Sequence, residues 1–208
     1  MDFQQDFFVF LQNFGFRISK HEIAILLRVK KMVTVVFPGA ENKACAKKIC
    51  AILERFGGAI FANETEITDF APVASVFFVY NGDGIKSVPQ KESILLITGK
   101  DSKKLQADCA PFGYRILDAD TVSKTDPHSI TVGMGKDSQI SVSSATSTHL
   151  QICIQKPLKT FSGKEVLPCE FSVTCAEHQD IKTVLFAFAV LLLCDKADTE
   201  KLTIQISA

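Results

Sequence analysis

Val33-Thr34-Val35-Val36-Phe37-Pro38-Gly39-Ala40-Glu41-Asn42-Lys43-Ala44-Cys45 is the stretch on which the reading of this chain turns. The β-branched, apolar run Val33 to Phe37 predicts a strand buried on both faces, as in a parallel sheet. Pro38-Gly39 breaks it. Glu41 to Phe56 then carries Ala46, Ile49, Cys50 and Leu53 at helical spacing, and Gly57-Gly58 closes the helix. Strand, glycine turn, lysine, helix is the order of a phosphate-binding loop. Backbone N–H groups at the helix start face the anion, the helix dipole favours negative charge there, and the lysine reaches the terminal phosphates. A working loop has Gly before the lysine, so that the backbone approaches phosphate, and Ser or Thr after it, to hold Mg²⁺. Here those places hold Asn42 and Ala44, and Glu41 stands where the anion would approach. Gly39, Asn42 and Lys43 are the candidate ligand-contacting residues. Asn42 adopts a left-handed backbone more readily than most residues, so the loop shape is expected to survive without its chemistry.

Outward from this stretch, short apolar strands alternate with helices. Ala59 to Phe61, Val73 to Tyr80, Ser93 to Thr98, Tyr114 to Leu117 and Ile130 to Val132 read as strands, and Ser102 to Cys109 as a helix. That alternation predicts a mostly parallel α/β sheet with right-handed crossovers. After Gly135 the texture changes. Ile140 to Ser143, Leu150 to Ile154 and Glu170 to Thr174 alternate apolar and polar, the mark of half-exposed antiparallel strands, and predict a small meander beside the main sheet. Asp180 to Cys194 reads as a buried core helix, and Leu202 to Ile206 as a last strand. Before the first strand, residues 1–31 form a separate helical extension. Phe3, Phe7, Phe10 and Leu11 share one face of a first helix, and Ser19 with Glu22 makes a capping box for a second. The division is thus 1–31, a helical pair, and 32–208, an α/β domain.

The chain has 208 residues, 47% hydrophobic and 22% charged, enough for an ordinary globular core. Lys and Arg number 23, as do Asp and Glu, so no basic excess exists to neutralise a nucleic-acid backbone. The longest apolar run, Val184 to Cys194, is too short to span a bilayer. The first residues, Met1-Asp2-Phe3-Gln4-Gln5-Asp6, are acidic where a secretory leader is basic. Seven cysteines without C-x-x-C spacing read as buried, reduced thiols, and the expected compartment is the cytoplasm.

The ordered set of segments resembles the central, ATP-binding domain of the Mur ligases, bacterial enzymes that add amino acids to the peptidoglycan precursor. Their loop, roughly T-G-T-N-G-K-T-[ST], frames Pro38 to Cys45 with Gly39 and Lys43 retained. Their I-L-x-x-x-G is similar to Ile52-Leu53-Glu54-Arg55-Phe56-Gly57. Their D-x-x-P-x-x-A-V-x-T-N segment looks like Asp69 to Asn81, their N-x-D-D slot holds Leu96 to Asp101, and their V-I-T-[FY]-G strand is similar to Ser129-Ile130-Thr131-Val132-Gly133. Their G-x-H-N-x-x-N-x-L-A-A helix start looks like Ala176 to Ala189. The resemblance covers about residues 32–206 and implies a P-loop-like fold. In a working relative it implies an ATP- and Mg-dependent carboxylate–amine ligase, as in peptidoglycan precursor or folylpolyglutamate synthesis.

The departures point toward a domain without that activity. The loop lacks its second Gly and its hydroxyl, the link from Ile60 to Val76 is short, and Glu64 and Glu66 within it are not promoted to metal ligands. The family's Asn after the helix-opening His is Gln179 here. His178 reads as a packing or capping residue, His21 as solvated, His128 as a loop residue and His149 as a strand-edge residue. No catalytic group and no metal ligand is assigned. The expected function is a pseudoenzyme-like binding module with at most residual nucleotide or phosphate binding and no bound cofactor, the ATP- and Mg-dependent ligase being the alternative. The expected partner is another protein or a second copy, met through the Phe-rich helix, with no nucleic acid or membrane.

Overall fold

A computed structural model gives the fold and describes residues 32–63, 67–69, 77–82, 92–98, 112–121, 129–175, 180–197 and 202–204. The N-terminal helical pair, the helix at 102–109, Cys109, His21, His128, His178, Glu64 and Glu66 lie outside the described residues.

The strand predicted after Met32 is β1, Val33–Phe37, and every one of its residues is buried. A 3-10 turn, Ala40–Asn42, leads into helix α1, Lys43–Glu54. The helix begins two residues later than its periodicity suggested, because Asn42 and its predecessors are spent on the turn. Ala46, Ile49, Cys50 and Leu53 do form its buried face, with Ile52 beside them. Gly58, with φ 77, ends it by donating its N–H to the Glu54 carbonyl at 2.8 Å.

The chain continues through β2 (Ala59–Asn63), β3 (Ile67–Asp69), β4 (Phe77–Asn81), β5 (Ser93–Ile97), β6 (Tyr114–Asp118) and β7 (Ser129–Val132). Next come β8 (Ile140–Ala145), β9 (His149–Ile154), a hairpin of β10 (Leu158–Lys159) and β11 (Glu165–Val166), and β12 (Cys169–Cys175). Helix α2, Ile181–Leu193, and β13, Leu202–Ile204, complete it. Of the Val73 to Tyr80 run, the strand takes only Phe77 onward, and 73–76 lie outside the described residues. β3 was not foreseen: three residues ending in Asp69 carry no strand signature, yet they pair antiparallel with β2.

Among the described residues, eleven strands form one sheet in the order β13-β12-β9-β8-β7-β6-β5-β1-β4-β2-β3. From β2 through β4, β1, β5, β6 and β7 to β8, neighbours run parallel. The fold class is therefore the mostly parallel α/β sheet that the sequence predicted. The fully buried runs of β1, β2, β4 and β5 match a sheet covered on both faces. β8, β9 and β12 form the antiparallel part, and β9 and β12 alternate buried with exposed as expected. This meander is not a separate layer. It extends the main sheet through a single register pair, Val132 with Ile140. β10 and β11 alone form a second, two-stranded sheet.

α1 and α2 pack together on one face of the sheet, over Val33, Val35, Phe37, Leu96 and Ile116. Every residue of α2 from Thr183 to Leu193 is buried, so this is a core helix apolar on all sides. Its C-terminus closes with Asp195 at φ 55, whose N–H meets the Leu192 carbonyl, while Lys196 N–H meets that of Leu191 at 2.8 Å. No helix among the described residues is long and apolar enough to cross a membrane.

The cysteine expectation needs correction. The described cysteines are all free thiols, but only Cys50 and Cys175 are buried; Cys45, Cys153 and Cys194 are half-buried and Cys169 is exposed. Apolar sequence neighbours do not bury a residue on an alternating strand, where Ile152 and Ile154 take the inner face and Cys153 the outer.

Candidate functional site

The strands β1, β4, β5, β6 and β7 end together at one edge of the sheet, and their last residues bring the polar side chains into one region. β1 lies between β4 and β5, so the chain leaves β1 toward one side and later returns to the other. In open α/β sheets, ligands bind outside the carboxyl ends of strands at such a switch point.

The turn after β1 holds itself closed. Gly39, at φ 87, takes the left-handed conformation that reverses the chain. Asn42 does not use its tolerance for that conformation: its φ is −83 and ψ 1. The reason is in its side chain. Its Nδ2 donates to the Pro38 carbonyl at 2.6 Å, and its Oδ1 accepts from the Thr98 hydroxyl at 2.6 Å. Those bonds span the turn and tie it to the end of β5. Asn42 sits at the N-cap position yet makes no side-chain bond to the helix N–H groups. From the other flank, buried Asn81 donates Nδ2 to the carbonyls of Phe37, at 3.2 Å, and Gly39, at 2.7 Å. The Glu41 carboxylate lies against Gly39: a Cβ placed there would meet its Cδ at 2.6 Å. Lys43 opens α1, half-buried, one residue before the exposed Ala44. The structure thus brings Gly39, Asn42 and Lys43 together on one turn, with Asn42 committed to the turn itself. Asn81 and Thr98 are site residues that the sequence reading did not single out. A buried Asn ending an apolar run is the signal that could have found the first.

A second polar group stands farther along the same edge. Asp118 ends β6 with its side chain almost wholly buried. Lys182, in the first turn of α2, places Nζ at 3.1 and 3.0 Å from the two Asp118 oxygens and 2.8 Å from Asp120 Oδ2. Burial pulls the Lys182 ammonium down, but the hydrogen bonds it donates to Asp120 and Asp118, with their charges, outweigh that, and the net shift is above lysine's ordinary value. Asp180 caps α2, accepting from Lys182 N–H and from the Thr183 hydroxyl at 2.7 Å. Cys45 of α1 touches the Thr183 hydroxyl at 4.0 Å, which puts the two helix starts side by side. Burial pushes the Cys45 thiol up, and outweighs the lowering by its hydrogen bond with Thr183 and by Lys48, with Asp180 and Asp118 adding to the rise. Among the described residues, no group of three or more His, Cys, Asp or Glu side chains is placed to hold a metal.

The described clefts near α2's C-terminus lie at the opposite edge. One, of about 490 Å³, is lined by Val166, Phe171 and Leu192 together with Lys164, Asp195 and Lys196. His149 opens β9, exposed, with Nδ1 at 2.9 Å from the Thr148 hydroxyl.

Solved structures similar to this one include the MurF ligase from Thermotoga maritima in complex with ADP. Identity is 11% and the TM-score 0.47, over 81% of this chain and 47% of that one. A murein peptide ligase Mpl from Psychrobacter arcticus 273-4 is similar at 13% identity and a TM-score of 0.45, over 97% of this chain and 52% of that one. This chain spans about half the length of those two structures. No protein-family model matches the sequence, and no curated protein matches it.

Proposed function

We propose that this chain is a binding domain on a Mur-ligase-like α/β scaffold, with a turn after β1 that no longer takes Mg-triphosphate. The observation that carries this reading is the Glu41 carboxylate lying against Gly39 at the mouth of the turn. A phosphate approaching that backbone would meet a negative charge within contact distance, against the attraction of the helix start. Two further features support it. Asn42 spends its amide on Pro38 and its carbonyl on Thr98. Ala44, after Lys43, offers a methyl where a metal-holding hydroxyl would be needed. The residues present therefore do not fit Mg-ATP.

Titration calorimetry of the whole chain with ATP and excess Mg²⁺ tests this. No saturable heat is expected at sub-millimolar nucleotide. A saturable heat that Lys43→Ala abolishes overturns the reading in favour of an ATP-dependent carboxylate–amine ligase.

A further inference from the structure

The cleft of about 490 Å³ between the β10–β11 hairpin and the C-terminus of α2 has no role at the turn after β1. Val166, Phe171 and Leu192 form its apolar wall, and Leu167 stands on its rim at 62% exposure. A lone exposed leucine needs no explanation, but one continuous with an apolar cleft marks a contact surface. Where the chain enters the sheet decides what reaches it. Met32 and Val33, at the start of β1, are buried, and Val33 lines a second cleft that shares Asp195 and Lys196 with the first. Residues 1–31 therefore join the domain directly beside the apolar cleft.

Reach and charge select the occupant. Residues 14–31 span roughly 27 Å as continuous helix and about 60 Å if extended, more than two adjoining clefts require. They tether the stretch 2–13, whose Phe3, Phe7, Phe10 and Leu11 the sequence predicts on one helical face. A tether of this length gives an effective concentration on the order of millimolar, so the chain's own segment fills a modest cleft ahead of a second copy at micromolar concentration. From residue 1 to 16 the acids are Asp2 and Asp6, with no Lys or Arg. Lys164 and Lys196 stand exposed on the cleft's rim, beside Glu165 and Asp195. We infer that this cleft is the docking site for residues 2–13 of the same chain, their apolar face against Leu167, Phe171 and Leu192 and their acids toward the two lysines. Grooves hold amphipathic helices in this way, by anchors at i, i+4 and i+7. A second copy takes the segment only by exchange of the same contact. The inference goes beyond the reading of the turn after β1 and does not depend on it.

Cys169, exposed on β12 and lining the cleft, reports its occupancy. The test is alkylation of the whole chain with iodoacetamide, followed at each cysteine by peptide mass spectrometry. In Phe7→Asp/Phe10→Asp the Cys169 rate is expected to rise about tenfold, the ratio of a millimolar effective concentration to a dissociation constant of about 0.1 mM. Cys153, on the outer face of β9, should keep its rate, and buried Cys50 should stay unreactive, which marks an intact fold. Leu167→Asp, made from the cleft side, is expected to act likewise, and it decides the matter if the first variant exposes Cys50. A synthetic peptide of residues 1–16 at millimolar concentration should restore protection to Phe7→Asp/Phe10→Asp. An unchanged Cys169 rate in the folded variants, or no protection by the peptide, overturns the inference. So does protection that grows with chain concentration as the mass in solution doubles, which assigns the cleft to a second copy. A heat with Mg-ATP that depends on Lys43 would overturn only the earlier reading.

Discussion

Gly39 shows how much one residue decides in this protein. Its positive φ turns the chain out of β1, and its missing side chain leaves room for the Glu41 carboxylate. The turn therefore leads the strand into the helix while setting a carboxylate against the backbone that an anion would approach. Replacing that charge is informative. Glu41→Ala is expected to tighten sulfate binding at the turn about two- to fivefold, the equivalent of the ~0.3–1 kcal/mol a charge is worth at a helix terminus. Equilibrium dialysis with labelled sulfate would measure it, and equal affinity in both proteins would show that Glu41 does not guard the turn. Lys43, Gly39 and Glu41 were all legible in the sequence, because a strand–turn–helix signature fixes their mutual positions within nine residues. The backbone of Asn42 was not. Its conformation is set by Thr98, 56 positions away, and no local pattern reports such a partner.

Between elements, the ion pair of Lys182 with Asp118 and Asp120 fastens the first turn of α2 to the end of β6. Lys182 and Asp118 are 64 positions apart, and only the strand order makes them neighbours, so sequence reading passed over them. Strands with continuous apolar runs, and helices with periodic ones, were readable because their signals are local. β3 was not, because three residues held by pairing alone leave no pattern. The fastening is linked to pH. The Lys182 ammonium titrates above its ordinary value in the folded chain. Its contribution is therefore complete below about pH 10.4, the value for a free lysine, and disappears as pH rises through the higher folded value. The melting-temperature gap between the parent and Lys182→Met should be constant from neutral pH to about 10 and shrink above it. A gap unaffected by alkali would mean that the lysine's stem, not its charge, does the fastening.

For the whole molecule, the described sheet accounts for the α/β domain, and the Phe-rich stretch at residues 2–13 is the natural candidate for association. We propose this on the sequence alone, since the spacing of Phe3, Phe7, Phe10 and Leu11 predicts one apolar helical face of the kind that meets a partner or a second copy. Removing residues 1–16 should lower solubility or halve the mass in solution, as read by light scattering after size exclusion. Unchanged mass, solubility and melting temperature would assign that stretch to neither role. Fold class was legible at this scale because alternation of strand and helix signals is a property of the entire chain. The 11-strand continuity was not. Whether a meander joins a sheet or lies on it depends on one backbone pairing, which side-chain patterns do not encode.

That pairing, Val132 with Ile140, makes the sheet a fabric with a seam. The parallel and antiparallel panels are each stitched along several residues, while this join has one register pair and two backbone bonds, Gly133 N–H to the Ile140 carbonyl and Gln139 N–H to the Thr131 carbonyl, and α2 packs across both β7 and β8 like a splint. Amide exchange at Gly133 and Gln139, whose bonds close the seam, is expected to be faster than at Leu95 or Ile152 inside the panels.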